Sequence, residues 1–223
     1  LFEIAHPLLF DPNKEVQAKA LSLLAKHFPD WTAQYTRTMI PETDNFSLFS
    51  GLVKVQSEFI ERTEAKEERT KQVDFKTQLM RSHVTIPSNA NTTGLIEDIL
   101  GPLLFKDSTE VLSHLFSDLK GLRERQSFLY GIWTFIDNIF NYDEGYAFLQ
   151  SLYTLQKNNA EQKHNPEEQK LVSLVLEMMA ENLKRTSTKN PKDPKNYDQF
   201  RAFVEGHLQS PHVEERTVLA KVL

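Results

Sequence analysis

No cysteine occurs in the 223 residues, which removes disulfides, thiolate metal ligands and cysteine nucleophiles. That fits a reducing compartment. Glycine is scarce too: seven residues are too few for the many tight turns of an all-β chain. Gly94, Gly101 and Gly121 stand isolated, so there is no Gly-rich phosphate loop, and no Gly-x-Ser-x-Gly elbow occurs. No run approaches the roughly 18 apolar residues of a membrane span, and mean hydropathy is −0.47. The first residues, Leu1-Phe2-Glu3-Ile4, lack the basic start and continuous apolar run of a signal peptide. Excess positive charge is missing as well. A net charge of −5 and a pI near 5.8 oppose binding to nucleic acid through bulk charge. The chain starts with Leu and closes on Lys221-Val222-Leu223 in a helical pattern, as expected of a segment of a longer protein. Cytoplasm or nucleus is the expected location.

What is present is helix-forming. Apolar residues make up 39% of the chain and charged residues 26%, a globular balance, and fifteen Phe supply bulky core material. Leu, Lys, Glu, Gln and Ala favour helix, and nothing reads as a strand. Punctuation divides the chain into about ten helical segments of a single all-α domain. Phe2–Phe10 comes first. Asp11-Pro12 reads as an N-cap with Pro at the first helical position, opening a helix with Val16, Ala20, Leu23, Leu24 and His27 on one stripe. A short helix from Trp31 is closed by Pro41. Thr43-Asp44 opens the longest expected helix, from Asn45 past Lys71. Its half from Glu61 holds no large apolar residue and is expected to project into solvent. Residues 84–94 form the clearest loop. Helices follow near Leu95–Phe105 and Ser108–Leu119. The stretch Arg123–Phe140 is apolar on nearly every face and is the expected centre of the core. Tyr142–Lys157, Asn165–Arg185, Tyr197–Leu208 and Pro211–Leu223 complete the set, with a polar linker at Thr186–Asn196.

A weak internal repeat runs through this pattern. Ile4 to Val16 aligns without gaps on Ile99 to Val111, an offset of 95 residues, sharing Ile, Pro-Leu-Leu-Phe and Glu-Val. Apolar columns continue, with Ala20 opposite Leu115 and Leu24 opposite Leu119. The offset is about two units of the 40–47 residues typical of HEAT and armadillo repeats. Pro7-Leu8-Leu9-Phe10-Asp11-Pro12-Asn13-Lys14-Glu15-Val16 and the residues through Leu24 resemble the turn and second helix of a HEAT repeat. In that resemblance Asp11 caps while Val16 and Ala20 pack inward. Ser210 to Arg216 is similar, but Glu215 sits where the inward Val belongs. The resemblance implies a stack of helix pairs, a continuous core and an extended surface for a protein segment. An irregular HEAT/armadillo-like array and a helical bundle both satisfy the pattern.

Residues able to carry chemistry are dispersed. None of the seven His forms His-x-x-x-His. Glu205, His207, His212 and Glu214 are the densest group but flank a break at Ser210-Pro211. Asp137, Asn138, Asn141, Asp143 and Glu144 follow the most apolar segment, where a carboxylate against the core would have a raised pKa and serve as an acid or base, or bind a metal. The simpler role for Asp143 is N-cap of the helix from Glu144. Lys184, Arg185, Lys189, Lys192 and Lys195 form a basic stretch open to nucleic acid or anionic lipid, although no aromatic side chain interleaves with the charges. Trp31 and Tyr35, between prolines, suit either an exposed aromatic anchor or the core. The leading expectation is a non-enzymatic helical scaffold or adaptor that binds a protein partner and needs no cofactor or metal. Its outward positions are Asn13, Gln17 and Lys19, then Ser113, His114 and Asp118. An all-α metal-dependent enzyme using residues 137–144 and a nucleic-acid or lipid adaptor using residues 184–195 are the alternatives.

Overall fold

Asparagine side chains start three of the helices in the first hundred residues. Asn13 accepts from Glu15 N (2.9 Å), Asn45 from Leu48 N (3.0 Å) and Asn91 from Gly94 N (3.5 Å), each satisfying a donor that the first turn leaves unpaired. Asn45 and Asn91 are also the glycosylation-type asparagines of Asn45-Phe46-Ser47 and Asn91-Thr92-Thr93, so capping accounts for both. The structure, a computed structural model, describes residues 1–140, 143–189 and 194–223, with the side chains at 65, 138, 140, 189 and 194–197 outside that set. The described residues are helical without a strand. They divide into two compact units, Leu1–Leu119 and Lys120–Leu223.

The first unit contains α1 (Phe2–Ala5), a 3₁₀ turn (His6–Phe10), α2 (Lys14–His27), α3 (Pro29–Glu42), α4 (Phe46–Glu61), α5 (Ala65–Arg81), α6 (Thr92–Leu100) and α7 (Phe105–Asp118). Helix α4 is its hub and packs on α2, α3, α5 and α6. Phe49, Leu52, Val53 and Ile60 project from it into the core and are all but inaccessible to water. The expected helix across residues 45–71 is thus two helices. Thr63 Oγ1 donates back to Phe59 O (2.8 Å), Glu64 is extended, and Lys71 Nζ closes the corner on Thr63 Oγ1 (3.0 Å) and over the Phe59 ring (4.3 Å). With no apolar residue to bury, the stretch after Glu61 turns; α5 then returns to the core through Phe75 and Leu79.

Residues 84–91 form the expected loop, whereas 92–94 already belong to α6. Val84 and Ile86 are buried, anchoring the extended segment between α5 and α6. Helix α2 starts at Lys14 after an Asn13 cap, two residues later than expected, because Asp11 Oδ1 instead accepts from Asn13 N (2.8 Å). Its buried stripe is Gln17, Ala20, Leu21 and Leu24, while Leu23 and His27 are exposed.

The second unit contains α8 (Leu122–Thr134), α9 (Ile136–Phe140), α10 (Asp143–Lys163), α11 (Pro166–Lys189), α12 (Pro194–Leu208) and α13 (Val213–Val222). The expected central helix over Arg123–Phe140 breaks at Phe135 (φ −104°, ψ 22°), and Tyr130 faces solvent. The centre is α11, which packs on α8, α9, α10, α12 and α13. Eight of its apolar residues, from Leu171 to Leu183, are buried. Asp143 is the first residue of α10 rather than its cap, and α10 runs on to Lys163. Gly145 admits the close approach of α9, since a side chain there would collide with the Ile139 carbonyl. His164 takes the left-handed conformation (φ 46°) that ends α10, and Asn165 Oδ1 accepts from Glu167 N (3.0 Å) to begin α11.

A buried polar cluster pins the α10–α11 hairpin. Arg125 and Glu168, each 1% exposed, form an ion pair; Gln156 Nε2 donates to the same carboxylate (2.6 Å), and Lys163 Nζ reaches it from the surface (3.1 Å). Burial alone pushes the Glu168 carboxyl up, but the hydrogen bonds from Gln156, Arg125 and Lys163 outweigh it and hold the group below its ordinary range. The expected linker at Thr186–Asn196 is helical through Lys189, with Thr186 and Thr188 hydroxyls bonded to Asn182 O (2.9 Å) and Arg185 O (3.0 Å). No helix among the described residues is long and apolar enough to cross a membrane.

Candidate protein-binding face

The start of the first unit combines a stacked aromatic base with bare apolar side chains. Helix α1 and the 3₁₀ turn lie on α2. Phe2 stacks on His6 (5.1 Å between centroids, 20° between planes) and meets Phe28 and Trp31 edge-on (5.2 and 4.8 Å). His6 meets Trp31 (5.2 Å) and Phe10 (5.5 Å) edge-on, and Trp31 stacks on Tyr35 (5.4 Å, 11°). Edge-to-face and offset pairs at these distances are the favoured aromatic geometries, each contributing about 0.5–1.5 kcal/mol beyond area burial. Partial burial pushes the Tyr35 hydroxyl above its ordinary pKa.

On this base stand Ile4 (73% exposed), Phe10 (67%), Leu1 (55%) and Leu8 (41%). Leu1, Ile4 and Leu8 follow the i, i+3, i+7 spacing with which one helix meets another. Burial of a side chain of this size is worth about 1.5–3 kcal/mol, so four together are a substantial unspent driving force. In the sequence these residues fall within the repeat match, which does not mark them as a surface. The available signal was their helical spacing, with a stripe of apolar residues on a segment too short to enclose them.

The residues expected to face outward are distributed differently. Lys19 is exposed. Asn13 is exposed but spends its side chain on the α2 cap. Gln17 is a correction: only 7% of it is accessible, and its Nε2 donates to Asp11 O (2.5 Å), because the turn before α2 presents a carbonyl that no backbone donor reaches. Trp31 and Tyr35 are half-buried within the aromatic base and support the bare face. On α7, Asp118 is exposed, whereas Ser113 and His114 are half-buried, and His114 Nε2 lies 3.7 Å from Asp118 Oδ2.

The repeat columns differ in environment. Ala20 and Leu115 are both buried, as are Leu24 and Leu119, yet Ile4 is bare where Ile99 is inaccessible. The Leu-Leu pairs are reversed: Leu9 and Leu103 are buried, Leu8 and Leu104 exposed. Glu215, the departure noted at the third match, is 1% exposed and accepts from the Tyr153 hydroxyl (3.3 Å). Burial, followed by the charge and hydrogen bond of Glu215, pushes Tyr153 well above its ordinary pKa.

The chemical candidates stay apart. Asp137 is exposed and paired with Arg185, so it is not held against the core, and Asp143 and Glu144 are exposed. Asn141 and the Asn138 side chain lie outside the described residues. Glu205 pairs with Arg201 (2.8 Å), and His207 Nδ1 bonds Phe203 O (2.9 Å), so their group does not converge. Among the described residues no three His, Asp or Glu side chains are placed to hold a metal ion. Of the basic stretch, Lys184 donates to Val222 O (2.8 Å) and Arg185 pairs with Asp137 and Glu181; Lys189, Lys192 and Lys195 fall outside the described side chains. No protein-family model, curated protein or solved structure matches the chain.

Proposed function

We propose that the protein is a non-enzymatic helical adaptor that binds a protein partner through the face formed by Leu1, Ile4, Leu8 and Phe10. The observation that carries this reading is the concentration of four bare apolar side chains in ten residues, mounted on a packed aromatic base. Isolated exposed apolar residues are ordinary, but four of them within ten residues on an ordered support favour an interaction surface. A rigid base also lowers the ordering cost of binding. The stripe at helical spacing fits an amphipathic helix of the partner, whose own apolar stripe would meet it ridge to groove.

The test compares partner recovery by the parent chain and by Ile4→Glu/Phe10→Glu, with Val73→Glu as a control at a bare position of α5 (56% exposed). A stoichiometric protein retained by the parent and the control but lost from the double variant, at unchanged Tm, supports the reading. Equal recovery by all three overturns it, as does the absence of any stoichiometric protein partner.

A further inference from the structure

The second unit carries a groove whose charges complement their own twofold image. It is an open cleft of about 370 Å³ between α8, α11 and α13. Its apolar surface comes from Tyr130, Leu174, Val213 and Val218, of which Tyr130 (54%) and Val213 (60%) are bare. Four charged residues edge it: Lys170 and Glu177 on α11, Glu214 and Lys221 on α13.

Their order follows from the packing. Lys184, towards the end of α11, donates to Val222 O at the end of α13 (2.8 Å). Near the starts, Tyr153 bonds Glu215, while Gln156, one turn along α10, bonds Glu168. The two helices therefore run parallel, with Lys170 and Glu214 towards one end of the groove and Glu177 and Lys221 towards the other. At 1.5 Å per residue the two charges on each helix are about 10 Å apart. Along α11 the signs read plus then minus; along α13 they read minus then plus. Lys170 pairs with Glu167 of its own helix (2.6 Å), and no ion pair crosses the groove among the described residues.

Such a quadrupole is self-complementary. A second copy laid over it by a twofold axis across the groove sets Lys170 against the other Glu177, and Lys221 against the other Glu214. With the axis along the groove, Lys170 meets Glu214 and Glu177 meets Lys221. Opposite charges face each other in both arrangements, and each copy covers the apolar lining of the other, Tyr130, Leu174, Val213 and Val218. A partner of single-sign charge would meet repulsion from half the rim. We infer that this groove is an isologous interface, and that its occupant is a second copy of the chain.

The experiment is sedimentation velocity over a wide concentration series, run on the parent chain and two charge variants. Lys170→Glu/Lys221→Glu makes the rim wholly acidic and Glu177→Lys/Glu214→Lys makes it wholly basic. The expected result is a parent dimer that loosens with salt, each variant alone shifted to monomer by at least tenfold in Kd, and recovery of dimer when the two variants are mixed. Tyr130→Glu supplies a second break that leaves the four charges intact, and circular dichroism melting confirms that each variant is folded. Ile4→Glu/Phe10→Glu should leave this dimer unchanged, separating it from the face on the first unit. A parent chain monomeric throughout overturns the inference, as does a dimer indifferent to both charge variants.

Discussion

Helices α5 and α11 are both long, and each lies against several neighbours of its own unit, yet they are held by different forces. In α11 eight apolar side chains between Leu171 and Leu183 are buried, and Glu168 at its start is sealed in the cluster with Arg125 and Gln156. Among the described residues of α5 the buried ones are Phe75, Gln78 and Leu79, and Val73 is bare. Ion pairs add to its attachment: Asp74 to Arg37 of α3 (4.0 Å), and Lys76 to Asp107 (2.8 Å) and Glu110 (2.6 Å) of α7. Each buried apolar side chain contributes about 1.5–3 kcal/mol, whereas an ion pair open to water contributes about 0–1 kcal/mol. Helix content therefore says little about what secures a helix. The two should respond to mutation, salt and pH in different ways.

The largest effect is expected at the sealed pair. Glu168→Gln removes the charge opposite Arg125, which remains buried, and should cost about 3–5 kcal/mol in urea unfolding. Arg125→Met/Glu168→Met, which removes both charges, should recover much of that loss. The pH dependence follows from the lowered carboxyl of Glu168. Its contribution is complete above the unfolded-state value near 4.5 and is lost as pH falls through the lower folded value. The variant should lack that acid limb; equal slopes in variant and parent would show that the pair does not stabilise α11.

The same contrast explains what the sequence made legible. The helical period identified Ala20, Leu24, Leu115 and Leu119 as core, because an apolar stripe has only one favourable place to go. It misplaced Gln17 and read Glu215 only as a departure. Their burial depends on hydrogen-bond partners, Asp11 O and the Tyr153 hydroxyl, that the folded chain supplies from elsewhere. Val84 and Ile86 were hidden for a similar reason: a short extended segment has no periodicity, and its burial comes from the helices around it. The bare face at Ile4, Leu8 and Phe10 escaped because matching residues in a repeat were assumed to share an environment. Leu8 and Leu103 do not.

Lys76→Ala offers a smaller test of the ionic side. It removes the contact to two carboxylates at once and should lower stability by about 1 kcal/mol at low salt. Because Lys76 and Asp107 are each about one-quarter exposed, screening should bring parent and variant together in strong salt. Hydrogen exchange should quicken in α5 and leave α11 amides unchanged. Faster exchange throughout α11 would mean that α5 is not a separately secured element.

The smallest expected effect is a gain. Asp98 on α6 is half-buried, and its carboxyl is pushed up to about 6 first by burial, which Lys54 opposes and Glu97, Glu58 and Glu61 reinforce. A raised acid favours folding most when protonated. Its contribution is present below the unfolded value near 3.8 and is lost as pH rises through about 6. Asp98→Asn keeps the shape without the charge and should raise stability at pH 7 by about 1 kcal/mol or less, discounted because the group is partly solvated. The gain should vanish below about pH 4, where the parent carboxyl is also neutral. Between pH 4 and 6 the two units should then diverge on acidification, the first gaining as Asp98 takes up its proton while the Glu168 cluster of the second remains ionised. A variant no more stable than the parent at pH 7 would show that burial does not penalise the Asp98 carboxylate.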